Sequence, residues 1–445
     1  MKDMENSRQP LGNLKQIYRA LHSRNYRLFF SGQTISLIGT WMQRVAMSWL
    51  VYRLTNSEFL LGLVGFLSLV PVFVLSPFAG VMADRVNRHR TLVVTQILAM
   101  LQAFILAFLV MNGTIQIEHV MVLATFLGLI NAVDTPVRQA FTVEMIDRKE
   151  DLGNAIALNS AMFNGARLVG PAMAGLLIAV LGEGLCFLFN AISYVAVIIA
   201  LFLMKIPPAD RIQKRTRIRQ DLTEGFAYAF GFGPIRSVLL LLVLASITGM
   251  PYMVLMPVFA KDILHGGPHT LGFLMGAAGG GALAGAIFLA ARKTAAGLET
   301  IVPLATAIFG AGLTAFAWST SQWLSIVLLL FTGFGMMVQM AASNTILQTI
   351  VDDDKRGRVM SFYVMCFMGT APFGSLLAGS AAHKLGAPDT LMISGVCCLA
   401  GAMLFALKLK NFRATVRSIY VEKGVISEVA LGLQSATDLT KAPMG

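Results

Sequence analysis

Arg44, Asp134, Arg138 and Arg167 stand inside stretches that are otherwise almost wholly apolar. An ionisable group in such surroundings is costly and marks a proton path, an ion path or a substrate contact by default. Asp134 and Arg138 are four residues apart, so on a helix they share a face and can pair. That spacing allows two chemistries. The two residues can form a fixed structural bridge, or Asp134 can carry a proton, since no other acid sits plainly within an apolar run. Glu144 and Asp147 read as loop residues. Arg167 and Arg44 each offer a planar fork of donors that suits carboxylates. Each can equally be a packed cation, with Arg167 bonded to backbone carbonyls or to Asn164. Two cations and at most one acid make the interior net positive, which favours anionic or polyoxygen ligands over lipophilic cations. Gln43, Asn131, Gln339 and Asn344 are polar neighbours that can line the same cavity.

Such residues need elements to hold them at depth. The chain has 445 residues, 56% hydrophobic and 13% charged, against about 25% charged in a soluble domain. The apolar residues come in blocks of roughly 20, the length of a membrane-crossing helix. Spans are expected at 27–52, 59–82, 91–112, 117–140, 153–181, 185–204, 237–260, 269–291, 300–318, 323–347, 359–382 and 389–409. The fold class is therefore all-α and polytopic, with twelve transmembrane helices. The polar, basic start of the chain, with no short apolar core and cleavage site, reads as no signal peptide.

The formal charge of +12 is distributed by topology. Arg85, Arg88 and Arg90 fall in link 2–3, Arg148 and Lys149 in link 4–5, Arg292 and Lys293 in link 8–9, and Lys355, Arg356 and Arg358 in link 10–11. The N-terminal arm, link 6–7 and the tail are basic too. The opposite links carry Arg53, Lys261 and Lys384. By the positive-inside rule both termini are cytoplasmic. No basic patch stands apart from the membrane ends, so no nucleic-acid partner is expected. Cys186, Cys366, Cys397 and Cys398 lie in apolar runs and read as buried thiols. The histidines lack ligand spacing, so no metal is expected. No G-x-x-x-x-G-K-[ST] sequence is present, which leaves an ATP-driven pump unsupported, and no catalytic constellation suggests an enzyme. "GAAGGGALAG" from Gly276 to Gly285 lies inside a span and reads as helix packing through Gly281 and Gly285. Trp318 and Trp323 flank a short outer turn as interface anchors.

The chain also repeats itself. "EFLLGLVGFLSLVP" is echoed by "PHTLGFLMGAAGGG", and "MIDRKEDLGNAIALN" by "IVDDDKRGRVMSFY", at offsets of about 205 to 210 residues (58 to 268; 145 to 350). Five parts follow: an N-terminal arm over 1–26, a six-helix bundle over 27–204, a linker over 205–236, a second bundle over 237–410 and a tail over 411–445. The linker opens with Pro207-Pro208 and reads as an interfacial helix from Asp221 on. Two pseudo-symmetric bundles joined by a basic loop are a transporter pattern, with a substrate site between the halves.

"GVMADRVNRHR", Gly80 to Arg90, resembles the signature of the major facilitator superfamily between helices 2 and 3, G-x-x-x-D-R-x-G-R-R. Gly80, Asp84, Arg85 and Arg88 match; Asn87 replaces the second glycine, and His89-Arg90 the final basic pair. "NYRLFFSGQTISLIGTWMQRVAMSWLVYRLT", "NAVDTPVRQAF" and "NGARLVGPAMAGLLIA" resemble the enterobactin-exporter-like branch. Within the last, Gly170, Pro171 and Gly175 resemble the antiporter motif G-x-x-x-G-P-x-x-G-G, with the first glycine displaced to Gly165 and Ala174 in the final pair. The plain physical reading of that stretch is a kink and a flat packing face. The resemblance implies a cytoplasmic gate in which Asp84 faces the positive N-terminus of helix 11, near Gly357. It implies a multi-pass exporter in a bacterial inner membrane, monomeric, with no cofactor and the proton gradient as driving force. The expected cargo is a small anionic metabolite such as a siderophore. Multidrug efflux is the alternative on the same fold, and a non-transporting receptor or scaffold the alternative of another class.

Overall fold

In the computed structural model, residues 18–206, 227–292, 294–352 and 355–423 are described, with the side chains of 76–85 and 422 left out. The interfacial helix expected from Asp221 on begins at residues outside this set. Helices α1 (Arg24–Thr55), α2 (Glu58–Arg85), α3 (Arg88–Met111), α4 (Ile117–Phe141), α5 (Leu152–Leu181) and α6 (Glu183–Leu203) form the first six. Next come α7 (Gly233–Ile263), α8 (Pro268–Ala290), α9 (Leu298–Ala317), α10 (Gln322–Ile350), α11 (Arg356–Leu385) and α12 (Ala387–Leu407). Among the described residues eleven helices are long and apolar enough to cross a membrane.

The twelfth is α1, whose 32 residues reach about 48 Å at 1.5 Å per residue, well over the ~30 Å hydrocarbon layer. Its hydropathy is lowered by Gln33, Gln43 and Arg44. It tolerates the two glutamines because they are buried in protein, where neighbouring helices replace lipid. The fold is all-α, with twelve membrane helices in two six-helix sets. Links 5–6 and 11–12 show the duplication: Gly182 (φ 79°) and Gly386 (φ 89°) occupy matching turns in a left-handed conformation that glycine adopts without strain.

The chain divides into two compact units, Met1–Thr55 with Val70–Lys214, and Asn56–Leu69 with Arg215–Gly445. The first part of α2, up to Leu69, thus groups with the second unit. In the first unit α1 packs on α5 and α6, and α3 packs on α4 and α6. In the second, α10 packs closely on α8 and α9, and α9 on α12. Small residues make those approaches possible, as membrane interfaces require in the absence of a hydrophobic drive between helices. A Cβ on Gly281 would meet the Leu330 carbonyl, and one on Gly333 the Ala278 carbonyl. The glycine run of α8 is therefore a helix-packing face. Gly333→Val should lower the thermal midpoint by more than an ordinary point change of about 1 kcal/mol. Gly165→Ala, where a Cβ meets nothing within 4 Å, should leave it unchanged or raised. Thermal unfolding of the two variants in detergent checks this.

Two features of the second unit depart from regular α-helix or from sequence expectation. Helix α7 carries π-helical segments at Ala245–Gly249 and Phe259–Ile263, and α11 one at Met365–Gly369. Ser246 donates to the Phe367 carbonyl at 2.5 Å, tying two of these segments together. Beyond α12, residues 411–445 are expected as a tail, yet Leu409–Glu422 is a helix, α13. Its apolar side, Phe412, Val416 and Tyr420, is buried in one cluster with Leu298, Val302, Ile350 and Val351. Arg413 donates to the Thr300 hydroxyl, and Lys423 to the Val351 carbonyl at 2.7 Å. Burial first, and the charge of Glu299 second, push the Tyr420 phenol above its ordinary range, so it remains neutral.

Candidate functional site

Trp41 and Arg44 are three apart on α1 and share a face. Helix α5 meets that face through Gly170, where a Cβ would lie 2.5 Å from the Trp41 Cβ and 3.0 Å from the Ile38 carbonyl. A larger residue at 170 would push the helices apart. The glycine thereby brings Arg167, one turn earlier on α5, over the same indole. The guanidinium carbons of Arg44 and Arg167 lie 4.7 Å and 5.8 Å from the Trp41 ring centroid. Phe163 meets the ring edge-on at 5.8 Å between centroids. Arg44 is exposed on its unit, whereas Arg167 is only 7% exposed. The Gly-Pro stretch of α5 has a definite local task here, since Gly170, Pro171 and Gly175 are buried and the helix runs on through Pro171. Two guanidinium groups at one indole are attracted to the ring and repel one another, an arrangement that can accept an anion beside them.

Asp134, on α4, is 2% exposed. Its Oδ1 accepts from the Thr95 hydroxyl at 2.7 Å and from Gln96 Nε2 at 2.9 Å, both on α3. Its Oδ2 accepts from Arg138 Nη2 at 2.5 Å. Three donors converge on one carboxylate. The arrangement clamps α3 to α4. The Arg138 side chain is 26% exposed, whereas Thr95 and Gln96 are buried. Nothing in the sequence links Thr95 and Gln96, 39 and 38 residues upstream, to Asp134. The available signal was a polar pair inside an apolar run.

Gln43 was expected on a cavity wall and is found elsewhere. Its Nε2 donates to Gln102 at 3.0 Å and its Oε1 accepts from Asn190 at 2.6 Å. With 3% exposure it joins α1 to α3 and α6 inside the unit, because a buried amide must satisfy both its ends. Asn131 is half-buried, one turn before Asp134 on α4. In the second unit Gln339 is buried on α10, and Asn344 accepts from Gln348 at 2.9 Å. Gly80, Asp84 and Arg85 fall at the end of α2, where side chains lie outside the described residues. Arg88 pairs with Glu144 at 2.8 Å, tying the start of α3 to the short 3-10 turn after α4.

Residues 17–429 match the family described as transmembrane secretion effector. A staphyloferrin A transporter of Staphylococcus aureus is 29% identical over 86% of this chain and 97% of its own. The multidrug efflux pump Tap of Mycolicibacterium fortuitum is 25% identical over 78% of this chain and 87% of its own. A solved bacterial homologue of the human lysosomal transporter Spinster superposes with a TM-score of 0.65 at 13% identity, covering 91% of this chain and 99% of that one. Twelve helices in duplicated sets, polar groups buried at depth and a family match across nearly the whole length converge on one assignment: the chain belongs to the transmembrane secretion effector family of the major facilitator superfamily, and it is a multi-pass membrane transporter.

Proposed function

We propose that the chain is a secondary exporter of small anionic metabolites, a siderophore being the representative cargo, driven by exchange for protons through alternating access. It acts in a bacterial cytoplasmic membrane with both termini inside. The observation that carries the cargo class is the Arg44–Trp41–Arg167 cluster. A lipophilic cation would meet two positive charges there, whereas a carboxylate offsets their repulsion and accepts from planar forks. The relative named for staphyloferrin A supports the same reading. Inward orientation of the termini rests on the basic links.

Coupling in this account runs through Asp134 and Arg138. Protonation removes the charge that holds Arg138, and release of Arg138 loosens the α3–α4 clamp. Proton binding and helix movement are then one event. Multidrug efflux is the second reading, favoured by the relative named as a multidrug pump.

Binding to the purified protein separates the two. A carboxylate-rich siderophore should bind, and a lipophilic cation such as ethidium should not compete with it. Tight ethidium binding with none of the carboxylate would overturn the anionic reading.

A further inference from the structure

A groove of about 400 Å³ runs between α3 and α4 on the first unit. It begins at Arg90 and Thr91 and extends past Val94, Leu98, Phe126 and Leu129. From Arg90 to Leu98 that is about 12 Å of helix at 1.5 Å per residue. Val94, Phe126 and Leu129 are exposed, so the walls are apolar and open toward the surroundings of the helices, which in a membrane are lipid chains. The floor includes Thr95 and Ile130, both buried.

The mouth is charged in a particular way. Arg88, His89 and Arg90 follow one another at the start of α3. Arg88 is engaged by Glu144, and His89 Nε2 lies 2.8 Å from the Leu201 carbonyl. The Arg90 side chain is exposed and makes no hydrogen bond or ion pair among the described residues. Its own N–H is capped by Asn87 Oδ1 at 3.1 Å, which fixes the first turn of α3 and the direction from which Arg90 leaves it. The N-terminal end of the helix adds positive potential at the same point.

We propose that this groove is a binding site for one anionic phospholipid of the leaflet on the side of Arg90. Its phosphate pairs with the Arg90 guanidinium, and one acyl chain lies along Val94, Leu98, Phe126 and Leu129. Charge complementarity selects the occupant: an apolar channel with a spare cation at its membrane-surface end fits a chain bearing a negative head. A water-soluble phosphate would leave the apolar walls empty. The bound chain would lie on Thr95, whose hydroxyl also donates to Asp134, so the site adjoins the acid clamp. The proposal does not depend on the nature of the cargo.

Native mass spectrometry of the full chain in neutral detergent tests it, with phosphatidylglycerol and phosphatidylcholine of identical chains. One phosphatidylglycerol should be retained in preference to phosphatidylcholine. Arg90→Gln should weaken phosphatidylglycerol about fivefold, the effect of one basic residue at an anionic surface, and leave phosphatidylcholine unchanged. Leu129→Trp, on an exposed wall, should fill the groove and remove the retained lipid; Val94→Trp serves as an independent second block. Glycerol phosphate, the head without chains, should not displace the lipid. The proposal is overturned if Arg90→Gln leaves the preference intact, if both tryptophan variants keep the lipid while folded, or if glycerol phosphate competes.

Discussion

Arg167→Ala should weaken binding of a carboxylate-rich cargo by about 100-fold while the protein still folds and inserts. Truncating one partner of a buried, hydrogen-bonded charge pair costs roughly 2–5 kcal/mol, and about 3 kcal/mol corresponds to that factor. Arg167 supplies the deeper of the two guanidinium groups at Trp41, so water replaces it poorly. Arg167→Lys keeps the charge but loses the planar fork, and a loss of about tenfold is expected from one charge-assisted hydrogen bond. Arg44→Ala, at an exposed position, should cost less than Arg167→Ala. The check is titration of purified variants with thermal unfolding measured alongside. Binding lost only in proportion to stability would make Arg167 a packing cation. Wild-type affinity in both Arg167 variants would remove it from the site.

Asp134→Asn should abolish gradient-driven accumulation and spare cargo exchange at equal pH. For one-for-one exchange, a gradient of about two pH units supports roughly 100-fold accumulation, each unit being about 1.4 kcal/mol. The amide can still accept from Thr95 and Gln96 through its oxygen. Its nitrogen then faces Arg138 as a second donor, so the Arg138 link is lost permanently and no proton can switch it. Stability should fall by less than the ~3–5 kcal/mol of a fully buried broken pair, since Arg138 is partly exposed and can reach water. Reconstituted vesicles with the membrane potential clamped give the answer. Accumulation by the Asn variant equal to wild type would take Asp134 out of the coupling.

Much of the architecture is legible in the sequence because lipid imposes one rule on every span. Blocks near 20 apolar residues separated by short basic links fix most helix limits to within a few residues: 27–52 is expected for α1 and Arg24–Thr55 is found; 300–318 is expected for α9 and Leu298–Ala317 is found. The same rule hides α13, which lies past the last apolar block and carries Lys410, Arg413 and Arg417. Its signal was Phe412, Val416 and Tyr420 at helical spacing, and that periodicity is short and easily read as tail. The π-helical segments of α7 and α11 leave no composition mark at all. Within the site, the Asp134–Arg138 spacing lies on one helix and could be read directly. Thr95, Gln96 and Trp41 come from other helices, and only packing reveals them. Gln43 illustrates the converse error: a polar residue at depth suggests a cavity wall, yet two neighbouring amides satisfy it inside the bundle.

The central claim is exchange of an anionic cargo for protons, and proteoliposomes made acidic inside test it most directly. With the potential clamped, a labelled carboxylate-rich siderophore added outside should accumulate above its equilibrium level as protons leave. Collapse of the pH gradient should stop the accumulation, and ethidium should show none. Accumulation of ethidium without the carboxylate, or carboxylate movement indifferent to the pH gradient, would contradict the account.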